Sequence, residues 1–187
     1  MGSIRIAVQA PLDSKRLREL RAGDMVKIDG VVYAARDAAH KRMVELIEKG
    51  ETLPFDIRGQ IIYYVGPCPA KPGEIIGSAG PTTSSRMDLF TPKLVGLGLK
   101  GMIGKGLRNK NVIDSMKTHG AIYFAAIGGA GALIARTVIE QEVIAFPDLG
   151  AEAVRRLTVK GFPAIVAIDS YGTSLYELGR AKYRILS

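Results

Sequence analysis

The sequence predicts a mixed α/β fold in a single domain that spans residues 1–187. Strand and helix signals alternate along the chain, but they lack the regular repeat of about 30 residues that a doubly wound parallel sheet requires. A turn signal between two short apolar runs adds antiparallel pairing. The composition, with 47% apolar and 24% charged residues, suits one globular domain with its own core.

The first two elements are predicted from apolar alternation and from a capping residue. Residues 4–10 alternate well enough to form a strand. Asp13 or Ser14 can cap a short helix that runs to Leu20, because their side-chain oxygens accept bonds from free helical N–H groups.

A hairpin is predicted next. Asp29 and Gly30 separate two apolar, β-forming runs, residues 25–28 and 31–34. An Asp-Gly pair in this position is the strongest short-range hairpin signal, because both residues tolerate the backbone of a two-residue turn.

A helix over residues 37–49 follows, with Asp37 as its N-cap and Gly50 as its left-handed end. Residues 60–65 are β-branched and aromatic, which favours a strand. A loop rich in glycine and proline then runs to Pro81.

Two helical regions are predicted in the middle of the chain. Residues 84–97 have helical character, with a kink or break at Pro92. Asn109 or Asn111 opens the next helix, which ends at Gly120.

Short strands are predicted over residues 100–103, 121–127, 143–145 and 164–169. The run over residues 121–127 is almost continuously apolar, which places it inside the sheet. A helix over residues 151–157 is predicted between the last two strands.

The formal charge of +8 comes from 26 lysines and arginines against 18 acidic residues. Nucleic-acid-binding proteins are often this basic, but their charge usually lies in stripes with interleaved aromatic residues. The densest basic stretches here, residues 15–18 and 105–110, are short, and the chain has no tryptophan. A solvated basic face, an anionic small substrate or an acidic partner chain explains the surplus equally well.

Cys68 is the single cysteine, which excludes a disulfide framework and an iron–sulfur cluster ligated by this chain alone. His40 and His119 do not supply a zinc site. The uncharged run over residues 118–135 contains four glycines and has the pattern of a strand followed by a helix, so no membrane span is expected. Residues 1–9 lack the apolar core of a signal peptide, so a cytoplasmic location is expected.

Two glycine-rich segments fail as nucleotide-binding loops on spacing. When a phosphate-binding loop is aligned on Gly104 and Lys105, its first glycine would fall on Leu99, and its Ser or Thr would fall on Gly106. In residues 128–131, the dinucleotide fingerprint would require glycine where Ile134 stands. Tight turns and close packing of helix on strand explain these glycines.

Residues 80–88 are the most informative segment, because a turn, four hydroxyl side chains and Arg86 coincide with a helix start. Such a combination can bind a carboxylate or a phosphate, or can be only an elaborate helix cap. Arg36 has a similar place at a strand–helix junction, although alone it would more simply pair with Asp37. His40, one turn into that helix, is interpreted as structural rather than catalytic.

Several motifs follow one another in a fixed order from about Ile6 to Tyr183. Together they resemble the β subunit of class I iron–sulfur fumarases and L-tartrate dehydratases, which corresponds to the C-terminal domain of the single-chain enzymes. The segments that carry the resemblance are residues 36–43, 64–70, 80–88, 104–106, 120–123, 128–130 and 159–164.

The resemblance implies a swivelling β/β/α domain that is half of an enzyme. In this family the α subunit carries three cysteines that hold a [4Fe–4S] cluster, whose open iron acts as a Lewis acid on the substrate hydroxyl. This chain would bind no metal itself, would be inactive alone, and would pair with that α subunit in an α2β2 assembly or form a homodimer. The residues that match the family's substrate-binding set are Arg36, Thr82, Arg86 and Lys105, of which Thr82, Arg86 and Lys105 would be catalytic.

The implied reaction suits these residue types. Hydration of fumarate, or dehydration of malate, concentrates negative charge on a carboxylate next to the reacting carbon, and fixed cations stabilise that charge by several kcal/mol. Arg36 and Arg86 can each hold a carboxylate with two parallel hydrogen bonds, with Lys105 beside them. Thr82 is placed to act on the proton, although a hydroxyl needs a cation nearby to become a base, so contact with substrate is the firmer expectation.

The expected function is therefore reversible hydration of fumarate to malate, a reaction of the citric acid cycle, by a β subunit without nucleic-acid or membrane partners. L-tartrate or a related hydroxy-dicarboxylate is the alternative substrate. A stand-alone anion-binding or nucleic-acid-binding module is the alternative from a different class; its affinity for nucleic acid would fall steeply with salt. The roles of Cys68 and His40 in the reaction stay open.

Overall fold

One sheet of seven strands organises the computed structural model, which describes residues 5–183. The strands are β1 (Ile6–Ala10), β2 (Met25–Ala34), β3 (Ile61–Tyr63), β4 (Gly101–Gly104), β5 (Ile122–Ala125), β6 (Val138–Ala145) and β7 (Val154–Ile168). Their order in the sheet is β1-β2-β3-β4-β5-β7-β6. Strands β2, β3, β4 and β5 run parallel, so their C-terminal ends meet at one edge.

The long strand β7 closes the sheet on itself. It pairs antiparallel with β2 along most of its length, and its opposite edge pairs with β5 and β6. The strands β2, β3, β4, β5 and β7 therefore form a ring, which encloses one apolar cluster.

Alternate residues of the strands supply a second apolar cluster outside the ring. Ile61 and Tyr63 face the enclosed cluster, whereas Ile62 and Tyr64 belong to the outer one. Helices α2 (Asp37–Glu48), α3 (Thr91–Gly96) and α4 (Lys110–His119) pack on the outer cluster. The shorter helices are α1 (Ser14–Leu17), α5 (Gly131–Ala135) and α6 (Leu175–Tyr183), with 3₁₀ turns over Ser84–Met87 and Pro147–Glu152. The two walls of the ring and the helical layer confirm the mixed α/β fold of the β/β/α type.

The hairpin predicted at Asp29 and Gly30 is wrong, because β2 continues through both residues as one strand. Gly30 has φ +104° and the pairing with β7 shifts register there, so it forms a bulge rather than a turn. A Cβ on Gly30 would lie 2.4 Å from the carbonyl oxygen of Ala10, so the same residue admits the close approach of β1. The Asp29 carboxylate accepts a hydrogen bond of 2.6 Å from the Gly161 amide on β7, which satisfies it within the sheet.

The helix predicted over residues 151–157 is also wrong. A 3₁₀ turn ends at Glu152, and Val154 begins β7. Val154, Leu157 and Val159 are buried while Arg156 is exposed, and pairing with both β2 and β6 fixes the segment as a strand despite its local helical character. β6 correspondingly begins at Val138, earlier than predicted.

Most other helices and strands begin and end within a few residues of their predicted bounds. Asn109 caps α4 through a 2.9 Å bond from the Val112 amide, and Gly120 ends it with φ +65°. Pro92 lies in the first turn of α3, which explains the predicted break. The N-cap of α2 was predicted at Asp37 but lies one residue earlier, at Arg36, so Asp37 is the first residue of the helix. Ile4, the predicted start of the first strand, lies outside the described residues.

No helix within residues 5–183 combines the length and the apolar character needed to cross a membrane. This agrees with the glycine-rich run over residues 118–135, which contains the strand β5 and the short helix α5 rather than one long helix.

Candidate active site

The C-terminal edge of the parallel strands brings together the four predicted site residues. Arg36 follows β2, and Lys105 follows β4 directly. Thr82 and Arg86 come from the long connection after β3, which returns to the same edge. In sheets of parallel strands, this edge is where ligands usually bind.

Backbone hydrogen bonds fix Thr82 next to Lys105. The Thr82 amide donates to the Tyr64 carbonyl at 2.7 Å, and the Lys105 amide donates to the Thr82 carbonyl at 3.2 Å. Ser84 then donates its amide to the Lys105 carbonyl at 2.8 Å. A Cβ on Gly104 would lie 2.0 Å from the Ser84 Oγ, so only glycine lets these two segments approach this closely.

A buried pair of hydroxyls lies behind this junction. The Ser84 Oγ and the Tyr123 hydroxyl are 2.9 Å apart, and the Tyr123 hydroxyl donates to the Gly106 carbonyl at 2.9 Å. Burial raises the pKa of Tyr123, so this phenol keeps its proton and its role as a donor. The loop that carries Lys105 is thereby bonded to the start of the 3₁₀ turn that carries Arg86.

Asp37 joins the two arginines of the set. Its Oδ1 accepts a bond of 2.8 Å from Nε of Arg86, and its Oδ2 accepts bonds of 3.2 Å from Nε and Nη2 of Arg36. The Arg36 side chain is 22% exposed and the Arg86 side chain 53% exposed. The two guanidinium groups therefore face one carboxylate, with Arg86 the more accessible to a ligand.

Arg36 is further fixed by the chain around it. Nη2 of Arg36 lies 3.4 Å from Oε1 of Glu152, whose other oxygen accepts a bond from the Ala38 amide at 2.9 Å. A Cβ on Gly66 would lie 3.0 Å from Nη1 of Arg36 and 3.1 Å from its Cδ. The absence of a side chain on Gly66 thus gives Arg36 its space.

His40 supports the backbone of Arg36 from inside the core. It is fully buried, and its Nδ1 donates to the Arg36 carbonyl at 3.0 Å. Burial lowers the pKa of His40 to about 4, so the ring is neutral near pH 7. This contact agrees with the structural interpretation of His40.

Arg108 and Asp88 form a buried ion pair beneath the site that the sequence did not reveal. The Arg108 guanidinium is fully buried and donates from Nε to Asp88 Oδ1 at 2.6 Å and from Nη2 to Thr91 Oγ1 at 2.8 Å. The other oxygen of Asp88 accepts a bond of 2.7 Å from the Asn109 amide. In the sequence, Arg108 is one cation of a short basic stretch. The sequence signal that could have indicated its role is Asp88, a carboxylate two residues after Arg86 that needs a positively charged partner.

The described residues 5–183 contain no group of three or more His, Cys, Asp or Glu side chains arranged to hold a metal ion. Cys68 is a free, exposed thiol. Arg36, Arg86 and Lys105, with the Thr82 hydroxyl beside them, offer anion binding by fixed cations at this edge of the sheet.

Several known proteins are similar to this chain over most of its length. Residues 2–179 match the family described as Fumarase C-terminus. The putative L(+)-tartrate dehydratase subunit beta of Methanocaldococcus jannaschii is 40% identical over 172 residues, which cover 89% of this chain and 88% of that protein. Fumarate hydratase 2 of Leishmania major is 37% identical over 179 residues, 94% of this chain but 32% of that protein.

The aerobic class I fumarate hydratase of Escherichia coli is 33% identical over 179 residues, 94% of this chain and 33% of that protein. The chain thus spans about a third of the length of the fumarate hydratases that it matches, and most of the length of the tartrate dehydratase subunit. With the family matched over nearly the whole chain and a full-length relative at 40% identity, this chain belongs to the Fumarase C-terminus family.

Proposed function

We propose that this chain is the β subunit of a two-subunit hydro-lyase that adds water reversibly to fumarate to give malate. The observation that carries the proposal is the convergence of Arg36, Thr82, Arg86 and Lys105 at the C-terminal edge of the parallel strands. Dehydration of L-tartrate by the same site is equally supported, because the relative of similar length is named a tartrate dehydratase subunit.

The cations account for a dicarboxylate substrate. Nε of Arg86 is bonded to Asp37, and its side chain is half exposed, so its two terminal nitrogens are the fork for one carboxylate. Lys105 is exposed on the adjacent loop and places a second positive charge at the same edge. Fixed positive charges at the carboxylate next to the reacting carbon stabilise the transition state by several kcal/mol.

Thr82 is the group of this chain assigned to the proton on the reacting carbon. Its position beside Lys105 is set by the backbone bonds to Tyr64 and Lys105. A neighbouring cation favours the deprotonated form of a hydroxyl, which is what a threonine needs to accept a proton. Loss of the hydroxyl in Thr82→Val should therefore lower turnover more than substrate affinity.

The iron–sulfur cluster expected in this family does not fit the residues of this chain. A [4Fe–4S] cluster is held by several cysteine thiolates, whereas Cys68 is single and exposed. We therefore assign the cluster, and the Lewis acid that it provides, to a cysteine-bearing α subunit. That subunit would supply what the longer fumarate hydratases contain beyond the matched third.

The assembly and the location of the enzyme belong to the same proposal. The β chain would be inactive without the α subunit and would form an α2β2 complex with it, or a homodimer alone. A cytoplasmic location stays a prediction.

Anaerobic reconstitution tests the proposal. The chain is co-purified with a cysteine-bearing α chain, the cluster is rebuilt, and fumarate, malate and L-tartrate are assayed, with each subunit alone as the control. We expect oxygen-sensitive conversion of at least one of these acids by the complex and none by the β chain. A complex with a full cluster that converts none of them would overturn the proposed function.

A further inference from the structure

We propose that Asp37 is the positioning residue of the site, whose two carboxylate oxygens hold both arginines so that Arg86 presents its terminal nitrogens to the substrate. This inference rests on the proposed function. It gives unequal roles to Arg36 and Arg86.

The Arg86 side chain uses one of its three nitrogens to bind Asp37. Within residues 5–183, the hydrogen bonds of the Arg86 side chain involve Nε alone, which donates to Asp37 Oδ1 at 2.8 Å. A carboxylate bound at Nε fixes the plane of the guanidinium and leaves the edge formed by Nη1 and Nη2. That edge can make two parallel bonds to a second carboxylate.

Arg36 is engaged by the protein through more of its nitrogens than Arg86. Asp37 Oδ2 accepts from both Nε and Nη2 of Arg36, and Glu152 lies 3.4 Å from the same Nη2. Nη1 lies beside Gly66, which leaves it room because it has no side chain; a Cβ there would lie 3.0 Å from Nη1. Asp37 and Glu152 thus engage two of the three guanidinium nitrogens of Arg36, which anchors Asp37, whereas Arg86 keeps both terminal nitrogens for the ligand.

The candidate site residues carry an excess of positive charge. Arg36, Arg86 and Lys105 contribute three positive charges, which repel one another in the absence of substrate. Asp37 lies between two of them and compensates part of this repulsion. The same negative charge opposes the binding of a dianion, so Asp37 improves orientation at some expense of ground-state affinity.

Replacement of Asp37 should affect kcat and KM differently. Asp37→Asn keeps the size of the side chain but loses one charge and the acceptor pair that bridges the arginines. We expect kcat to fall about 10- to 100-fold, because misplaced substrate-positioning groups have effects of this size. We expect KM not to rise, because the opposing charge is gone.

The test uses the reconstituted complex, with fumarate and L-tartrate as substrates. Asp148→Asn is the matched control. It weakens the ion pair with Arg42, which lies on helix α2 as Asp37 does, but Asp148 bonds to none of the four site residues. Exchange of the Arg86 Nε proton, followed by NMR in the β chain, reports the contact without activity; it should accelerate in Asp37→Asn and not in Asp148→Asn. Asp37→Ser, which suits a helix start, replaces the asparagine variant if that variant does not fold.

The outcomes separate the two proposals. An active wild-type complex with a low kcat, an unraised KM and faster Nε exchange in the Asp37 variant supports the inference. An unchanged kcat, a rise in KM alone, or unchanged exchange overturns it while the proposed function stands. A wild-type complex that converts none of the acids overturns the proposed function, and this inference with it.

Discussion

The guanidinium of Arg108 is fully buried and hydrogen-bonded to the Asp88 carboxylate at 2.6 Å, which joins the segment that carries Lys105 to the segment that carries Arg86. Asp88 also accepts the Asn109 amide at the start of α4. Arg108 lies 5.3 Å from the Tyr64 ring and 5.2 Å from the Tyr123 ring, which adds cation–π contacts. This pair connects the candidate site to the helical layer.

Asp88→Asn should destabilise the chain by about 3–5 kcal/mol, because it leaves the Arg108 charge buried without its counter-charge. Urea unfolding of the β chain measures this as a lower midpoint. The control is Asp56→Asn, which breaks an exposed pair with Arg58 and should hardly move the midpoint. Equal midpoints for the wild type and Asp88→Asn would show that the pair does not stabilise the fold.

Gly66→Ala should weaken the site while the fold is kept. The new Cβ would lie 3.0 Å from Nη1 of Arg36 and 3.3 Å from the Ala151 carbonyl oxygen, so the flexible arginine side chain must move by a few tenths of an ångström and the backbone contact becomes tight. We expect lower kcat/KM for the dicarboxylate in the reconstituted complex, with little change in the unfolding midpoint. Gly179→Ala in α6, with nothing within 4 Å, is the control and should be neutral or slightly stabilising. An unchanged kcat/KM in Gly66→Ala would separate Arg36 from the reaction.

His40 should make the stability of the chain depend on pH between about 6.5 and 4. Burial lowers its pKa from 6.5 to about 4, and the hydrogen bond to the Arg36 carbonyl opposes this in part; Arg108 lowers and Asp37 raises the pKa by smaller amounts. The unfolded chain therefore binds the proton more readily, so this contribution is complete above pH 6.5 and is lost as the pH falls towards 4. A shift of this size corresponds to about 3 kcal/mol.

Unfolding by urea at pH 7, 5.5 and 4.5 measures this effect. His40→Asn keeps a donor for the Arg36 carbonyl but does not titrate, so the difference between wild type and variant isolates the histidine from the carboxylates. We expect the wild type to lose more stability than the variant as the pH falls. Parallel pH profiles would show that His40 is not held neutral by burial.

The residues of the candidate site can be named from the sequence, whereas the residues that support them cannot. Arg36, Thr82, Arg86 and Lys105 each lie in a short motif next to a turn or a helix start, and such motifs are readable along the chain. Two supporting ion pairs depend on how the loops pack, so no local pattern indicates them. They join Asp37 to Arg86, 49 positions apart, and Arg108 to Asp88.

The errors in the fold have the same origin. Asp29 and Gly30 carry the local chemistry of a turn, but uninterrupted pairing of β2 with β7 makes them a bulge instead. The segment 154–157 has residues that a helix accepts, yet two neighbouring strands fix it in β7. In both places long-range strand pairing outweighs local preference, whereas the cap of α4 at Asn109 depends on neighbouring residues alone and was predicted.

Turnover by Arg86→Lys in the reconstituted complex tests the central claim most directly, that Arg86 holds a substrate carboxylate. Lysine keeps the charge but loses the planar fork, so kcat and kcat/KM should fall together by at least about tenfold with the unfolding midpoint unchanged. Arg58→Lys, the same change at the exposed pair with Asp56, should leave turnover intact. Unchanged turnover in Arg86→Lys would make Arg86 a bystander and contradict the account.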